Sequence, residues 1–335
     1  MAVTLRDVAA LAGVSVKTVS NVVNGYAFVK PENRRRVEEA LSATGYRPNL
    51  GARNLRRGRT GFLALMVPEL GIPYFGELAA LVITAAHARE WNVLIEQTRG
   101  TRDQERSTLA SLGPHLIDGA ILSPEALHAD DLTAHDPGVP MVMLGEHALD
   151  VAIDRVAIDN VGAARTAVTH LVELGRRRIA CIGDNPRRGT ATLRLQGYRD
   201  ALTAAGLPVL DELVAPAAQY HRRDGAEAMR ALLDLPEPPD AVFCFNDLLA
   251  VGALRAAAER GRRVPADLAV VGFDGSEEGA YTTPTLTTIA PDKAAIAEGA
   301  VERLGARIAG DAGEGVREIV PRFTLEVRES TVGRA

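Results

Sequence analysis

Short apolar runs alternate with helical patterns along most of this chain, and this alternation restricts its possible folds more than any other feature. The helical segments are rich in alanine and leucine, and Gly76–Ala88, Asn160–Leu174 and Asp247–Arg260 are three examples. Buried strands that alternate with helices predict parallel sheets with helices on both faces. The apolar runs are Phe62–Val67, Val93–Ile95, Gly119–Leu122, Val139–Leu144, Ile179–Ile182, Ala241–Phe245 and Leu268–Phe273.

These units are too many for one compact sheet, so the pattern predicts two similar α/β subdomains, each a doubly wound parallel sheet. Several runs end in polar residues, and ligands of open α/β sheets bind beyond the carboxyl ends of the strands. We therefore expect a ligand-binding cleft between the two sheets. The polar residues at the run ends are Ser123, Glu146, Asp184, Asn246, Asp247 and Asp274.

Charge is distributed unevenly between the start of the chain and the rest. Of its 335 residues, the first 60 contain 11 Lys/Arg and 4 Asp/Glu, a balance of +7, whereas the remainder has a balance of −12. A small basic segment on a large acidic body favours contact with a polyanion. A solvated basic helix would explain the charge equally well, so charge alone leaves both interpretations open.

The first 47 residues show the spacing of three short helices, which is typical of an all-α unit. Apolar residues at helical spacing predict a first helix over Leu5–Ala12, which Gly13 ends as a left-handed cap. Ser15 is an N-cap candidate for the second helix, and a third helix is expected within Pro31–Gly45. Two short helices joined by a tight turn that contains glycine predict a helix-turn-helix.

The predicted second helix has an apolar valine face and an opposite face that carries Val16, Lys17, Ser20 and Asn21. In a helix-turn-helix, the early residues of this helix reach base edges in the major groove. Lys17 can donate to guanine, Asn21 can bond adenine bidentately, and Val16 can pack against a thymine methyl. The alternative is a generic three-helix bundle with a polar face. The residues better suited to phosphate contacts are Thr4, Thr18 and Asn24.

A series of short motifs runs in order along essentially the whole chain. The first are residues 4–24 (TLRDVAALAGVSVKTVSNVVN), 45–49 (GYRPN) and 52–56 (ARNLR). The others are residues 72–75 (IPYF), 158–160 (IDN), 194–198 (RLQGY), 245–248 (FNDL), 270–274 (VVGFD) and 284–288 (PTLTT). Each motif is weak alone, but together they closely resemble the lactose-repressor (LacI/GalR) family of transcriptional regulators.

The resemblance implies a DNA-binding hinge helix after the third helix. In the family this helix lies in the minor groove and inserts a leucine between the central base pairs, which bends the duplex, and Leu55 matches that leucine. Lys30 stands where the family usually has a capping serine, so the third helix should be weakly capped. Gly51 lies inside the hinge helix, which should make the hinge depend more strongly on DNA for its order. The hinge residues implied to contact DNA are Asn49, Ala52, Arg53, Leu55 and Arg56.

The resemblance also implies an effector site between two subdomains, as in periplasmic sugar-binding proteins. Arg194 matches an arginine that grips effector hydroxyls or carboxylates, and Asp274 matches a carboxylate opposite it. The alternative roles are a turn cap for Asp274 and a surface salt bridge for Arg194. Such a set suits a polyol, but departures at residues 146–147 and 187–189 leave the effector open. The other matches are an amide, Asn246, an aromatic wall, Tyr220, and the aromatic residues Tyr74 and Phe75.

The motifs and the change in texture after residue 60 predict three regions. Residues 1–47 form a helix-turn-helix headpiece, and residues 48–60 form the hinge helix and linker. Residues 61–330 form a core for effector binding and dimerisation. Its N-subdomain is expected over about 61–159 and 289–317, and its C-subdomain over about 160–288 and 318–330.

The expected function is sequence-specific transcriptional regulation, as a repressor controlled by a small-molecule effector, a sugar. The expected partners are a pseudo-palindromic double-stranded operator, the effector and a second copy of the chain. The resemblance implies a homodimer formed through the helices Gly76–Ala88 and Asp247–Arg260. Residues 323–335 are too short and polar for the leucine-heptad helix that makes some family members tetramers. The sequence does not decide whether the effector releases or strengthens DNA binding.

Two other classes of protein fit these observations less well. An enzyme is disfavoured because the chain has no nucleophile elbow, P-loop or zinc-ligand spacing, so we expect no catalytic residue, cofactor or metal site. A sugar-transport module is disfavoured by the basic headpiece and by a start that does not resemble an export signal. The two cysteines lie in apolar runs, and no apolar stretch approaches the ~20 residues that cross a bilayer, so we expect a cytoplasmic protein.

Overall fold

The computed structural model describes residues 3–23, 26–46, 59–134, 138–145, 151–186, 189–311, 313 and 315–333. The chain divides into two compact units, Met1–Thr60 and Gly61–Ala335. The described residues of the first unit form three helices, α1 (Leu5–Ala12), α2 (Val16–Val23) and α3 (Pro31–Thr44). Their apolar faces meet in one small core, as the helical spacing predicts. The buried residues of that core are Val8, Ala9, Ala12, Val19, Val22, Val37 and Ala40.

The ends of α1 and α2 are fixed by local hydrogen bonds. At the start of α1, the Asp7 amide donates to Thr4 Oγ1 (3.4 Å), and the Thr4 amide donates to Asp7 Oδ2 (2.8 Å), which is a reciprocal capping box. Gly13 ends the helix with φ 60°, as predicted. Ser15 caps α2, because its Oγ accepts the Thr18 amide at 3.1 Å. The turn between the two helices is therefore held from both sides.

The start of α3 lacks this support, as the sequence predicts. Lys30 occupies the N-cap position, and its side chain makes no capping hydrogen bond. We expect Lys30→Ser to stabilise α3 by about 1 kcal/mol, because a serine hydroxyl would accept an amide at the helix start. The measurement is hydrogen exchange of the α3 amides in the full chain. Lys30→Ala is the matched control, since it removes the same charge without supplying an oxygen. Equal protection in both variants would contradict the prediction.

The described residues of the second unit form two six-stranded sheets, and the first of them is parallel throughout. Its strand order is β11–β5–β4–β3–β1–β2. Its strands are β1 (Phe62–Val67), β2 (Asn92–Gln97), β3 (Gly119–Leu122), β4 (Met141–Leu144), β5 (Asp154–Val156) and β11 (Glu318–Ile319). Its helices are α4 (Pro73–His87), α5 (Arg102–Ser111), α6 (Ala129–Ala134) and α12 (Lys293–Ala309).

The second sheet repeats this architecture in the order β12–β10–β9–β8–β6–β7, and only β12 is antiparallel to its neighbour. Its strands are β6 (Ile179–Asp184), β7 (Val214–Pro216), β8 (Ala241–Cys244), β9 (Ala269–Phe273), β10 (Thr287–Pro291) and β12 (Phe323–Glu326). Its helices are α7 (Asn160–Glu173), α8 (Gly189–Ala204), α9 (Arg222–Leu233), α10 (Asp247–Glu259), α11 (Glu277–Ala280) and α13 (Glu329–Val332), with a 3-10 turn at Asp211–Leu213. The prediction of two parallel-sheet subdomains is confirmed.

The chain passes between the two sheets three times, and two of these crossings lie later than the sequence suggests. β10 stays in the second sheet up to Pro291, where it pairs with Phe323 of β12. Glu318 and Ile319 pair with β5 and so belong to the first sheet. The predicted boundaries near 289 and 318 therefore move by two to three residues. β10 begins with two threonines and ends in proline, and β11 has only two residues, so neither carries an apolar run that shows which sheet it joins.

α4 and α10, the two helices implied to form a dimer interface, differ in how much surface they leave free. α10 packs along α9 of the same chain, and only Arg255, Ala258 and Glu259 among its residues are exposed. α4 has one face on the core and an exposed opposite face that includes Ala80 and Thr84. Which of the two helices pairs with a second copy stays a prediction. In the described part of the chain, no helix is long and apolar enough to cross a bilayer.

Candidate functional site

The outward face of α2 carries the residues expected to read DNA bases. Val16 is 42% exposed and Lys17 is exposed, whereas Ser20 and Asn21 are half-buried at the flank of the helix. Val19 and Val22 are buried on the opposite side, against the headpiece core. Changes at the outward positions should therefore leave the fold intact.

Two of the residues expected to contact phosphate, Thr4 and Thr18, lie in the described part of the headpiece. Thr4 is exposed, and its hydroxyl donates to Asp7 Oδ2 at 2.7 Å in the capping box. The Thr18 hydroxyl lies 2.9 Å from Ser15 Oγ at the start of α2. Both hydroxyls thus support the helix starts. The other residues expected to contact DNA lie outside the described residues; they are Asn24, Asn49, Ala52, Arg53, Leu55 and Arg56.

Two exposed aromatic residues after α2 were missed by the sequence reasoning. Tyr26 is 54% exposed and Phe28 is 88% exposed, and their rings meet edge to face with centroids 5.8 Å apart. Arg34 donates to the Tyr26 carbonyl at 2.7 Å, and Arg36 donates to the Gly13 carbonyl at 3.3 Å. Two of the basic residues of α3 therefore fix loops of the headpiece. Large aromatic residues in a polar loop were the signal that could have identified this pair.

In the second unit, a cavity of about 120 Å³ lies between the carboxyl ends of the two sheets. All six residues implied to bind an effector line it, although they come from widely separated parts of the chain. These residues are Tyr74, Phe75, Arg194, Tyr220, Asn246 and Asp274. The apolar part of the wall includes Ile72, Leu78, Leu144, Val156, Ile158, Phe273 and Ile296.

Arg194, on α8, is buried and oriented by three contacts. Its Nε donates to Asn160 Oδ1 at 2.8 Å, and Nη1 donates to the Phe245 carbonyl. The guanidinium carbon lies 3.5 Å from the centroid of the Phe273 ring, which is a cation–π contact. Because the side chain is only 8% exposed, the alternative of a surface salt bridge is wrong. The contacts fix a planar donor group at the cavity wall.

Asp274 directly follows β9 and lines the same cavity, and it has φ 116°, a conformation that residues other than glycine rarely adopt. Burial raises the pKa of Asp274 well above its usual range, the charge of Arg194 opposes that rise, and the charge of Asp247 adds to it. The following turn is held by other groups, since the Gly275 amide donates to Thr288 Oγ1 and the Ser276 amide to Asp247 Oδ2. The turn-cap alternative for Asp274 therefore lacks support among the described residues.

Asn246 and Tyr220 line the cavity but use polar atoms to build its wall. Asn246 Oδ1 accepts the Leu249 amide at 2.9 Å and so caps α10, and Nδ2 donates to the Tyr220 carbonyl at 3.1 Å. The Tyr220 hydroxyl donates to the Gly183 carbonyl at 2.8 Å. What Tyr220 offers a ligand is therefore its ring face, while Asn246 retains one amide hydrogen.

Asp247, another polar residue at a strand end, lies behind the cavity wall. It is buried and accepts hydrogen bonds from the Ser276 amide (2.7 Å), Ser276 Oγ (2.9 Å) and Thr288 Oγ1 (2.6 Å). Burial raises the pKa of Asp247 above its usual range despite these bonds. The negative charge of Asp247 also contributes to the raised pKa of Asp274.

Comparison with known proteins identifies both units. Residues 4–49 match the bacterial regulatory proteins of the lacI family, and residues 168–331 match the periplasmic binding protein-like domain. The chain is 38% identical over 338 residues to the HTH-type transcriptional regulator CelR of Thermobifida fusca, with 98% of each chain covered. The chain belongs to the LacI family. The resemblance stated from the sequence motifs is confirmed.

Solved structures of LacI-family proteins agree with this assignment. A complex of the regulator CelR with cellobiose is 35% identical with a TM-score of 0.73, and the match covers 98% of this chain and 99% of that one. The lac repressor dimer bound to operator and the anti-inducer ONPF is 28% identical with a TM-score of 0.87, and the match covers 99% and 100%. The LacI family consists of transcriptional regulators rather than enzymes. With its helix-turn-helix, this chain is a DNA-binding transcriptional regulator.

Proposed function

We propose that the protein is a repressor which binds a pseudo-palindromic operator as a homodimer, and whose affinity for DNA is set by a sugar in the cavity between the core subdomains. The observation that carries the proposal is the cavity itself, where six residues implied by the family motifs converge. The repressor acts in the cytoplasm, without a cofactor or an enzymatic reaction.

The cavity has the chemistry that a polyol requires. Arg194 supplies a fixed, planar set of charged donors, and Asp274 supplies a carboxyl group that exchanges hydrogen bonds with hydroxyls. The rings of Tyr74, Phe75 and Tyr220 supply apolar surface for the face of a sugar ring. The bound complex of CelR is with cellobiose, which is also a sugar.

A truncated chain tests the two halves of this proposal separately. We compare the full chain with residues 61–335, which form a compact unit, in operator binding and in thermal shift with a panel of sugars and nucleosides. A sugar-controlled repressor loses DNA binding on truncation and keeps the shift caused by its ligand. Stabilisation by nucleosides alone would contradict the sugar assignment. Catalytic turnover of a ligand by the truncated chain would contradict the proposal that the protein is not an enzyme.

The hinge assignment, residues 48–60, remains a proposal based on the motif that contains Leu55. An apolar wedge between base pairs kinks DNA, and the bend is offset by the contacts it permits. We expect Leu55→Ala to lower operator affinity and the bend angle together, with sugar binding unchanged. Bending is measured by fluorescence transfer between the two ends of an operator duplex, and Leu11→Ala, at an exposed headpiece leucine, is the control. A normal bend angle in the Leu55 variant would contradict the wedge.

We further propose that two copies pair through the exposed face of α4. A headpiece reads one half-site, so a two-fold symmetric operator calls for a two-fold symmetric protein. Light scattering at roughly micromolar concentration should give about twice the 35.6 kDa mass of one chain. Ala80→Glu places a charge on the exposed face of α4 and should yield monomers with weak operator affinity. A monomeric wild-type protein that still binds the full operator tightly would contradict the dimer.

A further inference from the structure

A second cavity of about 740 Å³ lies next to the effector cavity, and the side chain of Glu125 lines both. We call the smaller one the inner cavity and the larger one the outer chamber. The outer chamber also lies between the two subdomains, since its residues come from the ends of β2, β3, β6 and β7. Its polar lining includes Arg99, Thr101, Arg102, Asp184, Asn185 and Gln219.

The inner cavity is too small for more than one sugar ring. A water-sized group requires roughly 10–15 Å³ of cavity volume, so 120 Å³ holds about ten such groups. A hexose has twelve non-hydrogen atoms, which is close to this limit. The outer chamber is about six times larger, so it has room for additional rings of a longer ligand.

The two spaces differ in chemistry: aromatic and aliphatic side chains predominate in the inner cavity, and polar side chains predominate in the outer chamber. Such a pair suits a glycan with one enclosed ring and one ring that stays in contact with water. The inner cavity has aromatic and aliphatic walls with a few charged groups, which suits one tightly enclosed ring. The outer chamber is lined by guanidinium, amide and hydroxyl groups, and Arg99, Thr101 and Gln219 among them are exposed. Such groups suit hydroxyls of a ring that remains partly in contact with water.

The junction between the two spaces is fixed by buried carboxylates of the first subdomain. Glu105 has no exposed surface and accepts the amides of Glu125 (2.8 Å) and Ala126 (3.0 Å), which positions the loop that carries Glu125. Asp131 holds Arg102 through two hydrogen bonds of 2.8 and 3.0 Å. The walls of the outer chamber are thus in place before a ligand arrives, which lowers the entropy cost of binding.

The opposite wall is also preformed. Asn185 Nδ2 donates to the Ala217 carbonyl at 3.2 Å, which ties the loop after β6 to the loop after β7. The loop that follows β2 is equally constrained, since Gly100 has φ 60° and a Cβ there would lie 2.2 Å from Glu125 Oε2. The positive φ favours glycine at this position, and glycine also leaves room for the Glu125 side chain at the junction.

We propose that the effector is an oligosaccharide, with one terminal ring in the inner cavity and the next ring in the outer chamber. This inference rests on the proposed function, since it names the class of sugar that the same site takes. The linkage between the two rings passes Glu125. A monosaccharide would fill the inner cavity alone and would gain nothing from the contacts of the outer chamber.

Calorimetry with matched monosaccharides and oligosaccharides tests the proposal on the full chain. The probes are glucose, cellobiose and cellotriose, with maltose, lactose and xylobiose beside their monosaccharides. We expect at least one disaccharide to bind about tenfold or more tightly than its monosaccharide, since each added ring gains several hydrogen bonds.

Two variants locate the gain in affinity. Thr101→Ala and Gln219→Ala change opposite walls of the outer chamber and leave the inner cavity untouched. Each should weaken disaccharide binding about three- to tenfold and leave monosaccharide binding unchanged. Gln196→Ala, at an exposed glutamine of α8 that lines neither cavity, is the matched control.

The outcomes separate this inference from the function on which it depends. If monosaccharides bind as tightly as every disaccharide, or if the two variants affect neither ligand, the outer chamber is only an entrance and the inference is wrong. If no sugar of the panel binds, but nucleosides stabilise the protein in the thermal-shift comparison, the sugar assignment itself is wrong. The oligosaccharide inference is then wrong as well.

Discussion

Alanine at Lys17 or Asn21 should abolish tight operator binding while leaving a folded protein that still binds its sugar. A bidentate contact to a base is worth about 1–3 kcal/mol, and a dimer loses it at both half-sites, so the loss approaches 2–6 kcal/mol. The fold should survive because Val19 and Val22, on the opposite side of α2, are buried and carry its packing. The variants should also discriminate less between the operator and its single-base mutants.

Two controls separate base reading from simple charge attraction. Lys30→Ala removes one positive charge from the same headpiece at an exposed position, and Asn33→Ala removes an amide from α3. Neutralising a phosphate contact weakens binding to all sequences and reduces the dependence on salt. The Lys17 variant should lose preference for the operator, whereas the Lys30 variant should keep it. Unchanged preference in both the Lys17 and the Asn21 variants would place the recognition surface elsewhere.

The strands that the sequence predicts are those with a long apolar run. β1, β3, β8 and β9 each have a neighbouring strand on both sides and are almost wholly buried, so each appears as a continuous run of apolar residues. β5, β7 and β11 are two or three residues long, and no run marks them. The short edge strand β11 also accounts for the shift of the predicted boundary near 318.

The cavity residues could be placed from motifs and strand ends, but their roles depend on partners that are far away in sequence. Asn160 orients Arg194 from 34 residues away, and Glu105 positions Glu125 from another element. The same limit applies to the buried ion cluster of the first subdomain. There Asp154 accepts hydrogen bonds from Arg303 (3.2 Å) and Arg307 (2.9 Å), about 150 residues later. Such pairings follow only from the folded packing.

Substitutions of Asp274 and of Arg194 should change the stability of the protein in opposite directions. Both should abolish the response of operator binding to sugar. Both variants should keep operator binding, and neither variant's operator binding should respond to sugar, because each removes a polar partner of the ligand from the cavity. In the absence of sugar, Asp274→Asn should stabilise the protein by roughly 2 kcal/mol at about pH 9, the scale of penalty for a poorly compensated buried carboxylate. Asparagine keeps the shape of the side chain and tolerates the positive φ of this position.

The stability difference between the wild type and Asp274→Asn should depend on pH. Because the native pKa of Asp274 lies above that of an unfolded aspartate, the native state binds more protons between the two pKa values. The free energy of unfolding of the wild type should therefore fall as pH rises through this window. Asp274→Asn removes that loss, so its advantage should shrink as pH falls and should be lost below about pH 3, where Asp274 is mostly protonated in both the native and the unfolded wild type.

Arg194→Ala should destabilise the protein, because Arg194 compensates the buried carboxyl group of Asp274. It removes the donor to Asn160 Oδ1 and to the Phe245 carbonyl, and it removes the stronger of the two positive charges near Asp274, so that only Lys293 remains. We expect a loss of about 3–5 kcal/mol at alkaline pH, which becomes smaller as Asp274 is protonated. Urea unfolding of both variants across pH measures these changes, with Asp211→Asn at an exposed position as the control. If Asp274→Asn destabilised the sugar-free protein at alkaline pH, or if it still released or bound operator in response to sugar like the wild type, then Asp274 would be a structural residue and not a ligand group.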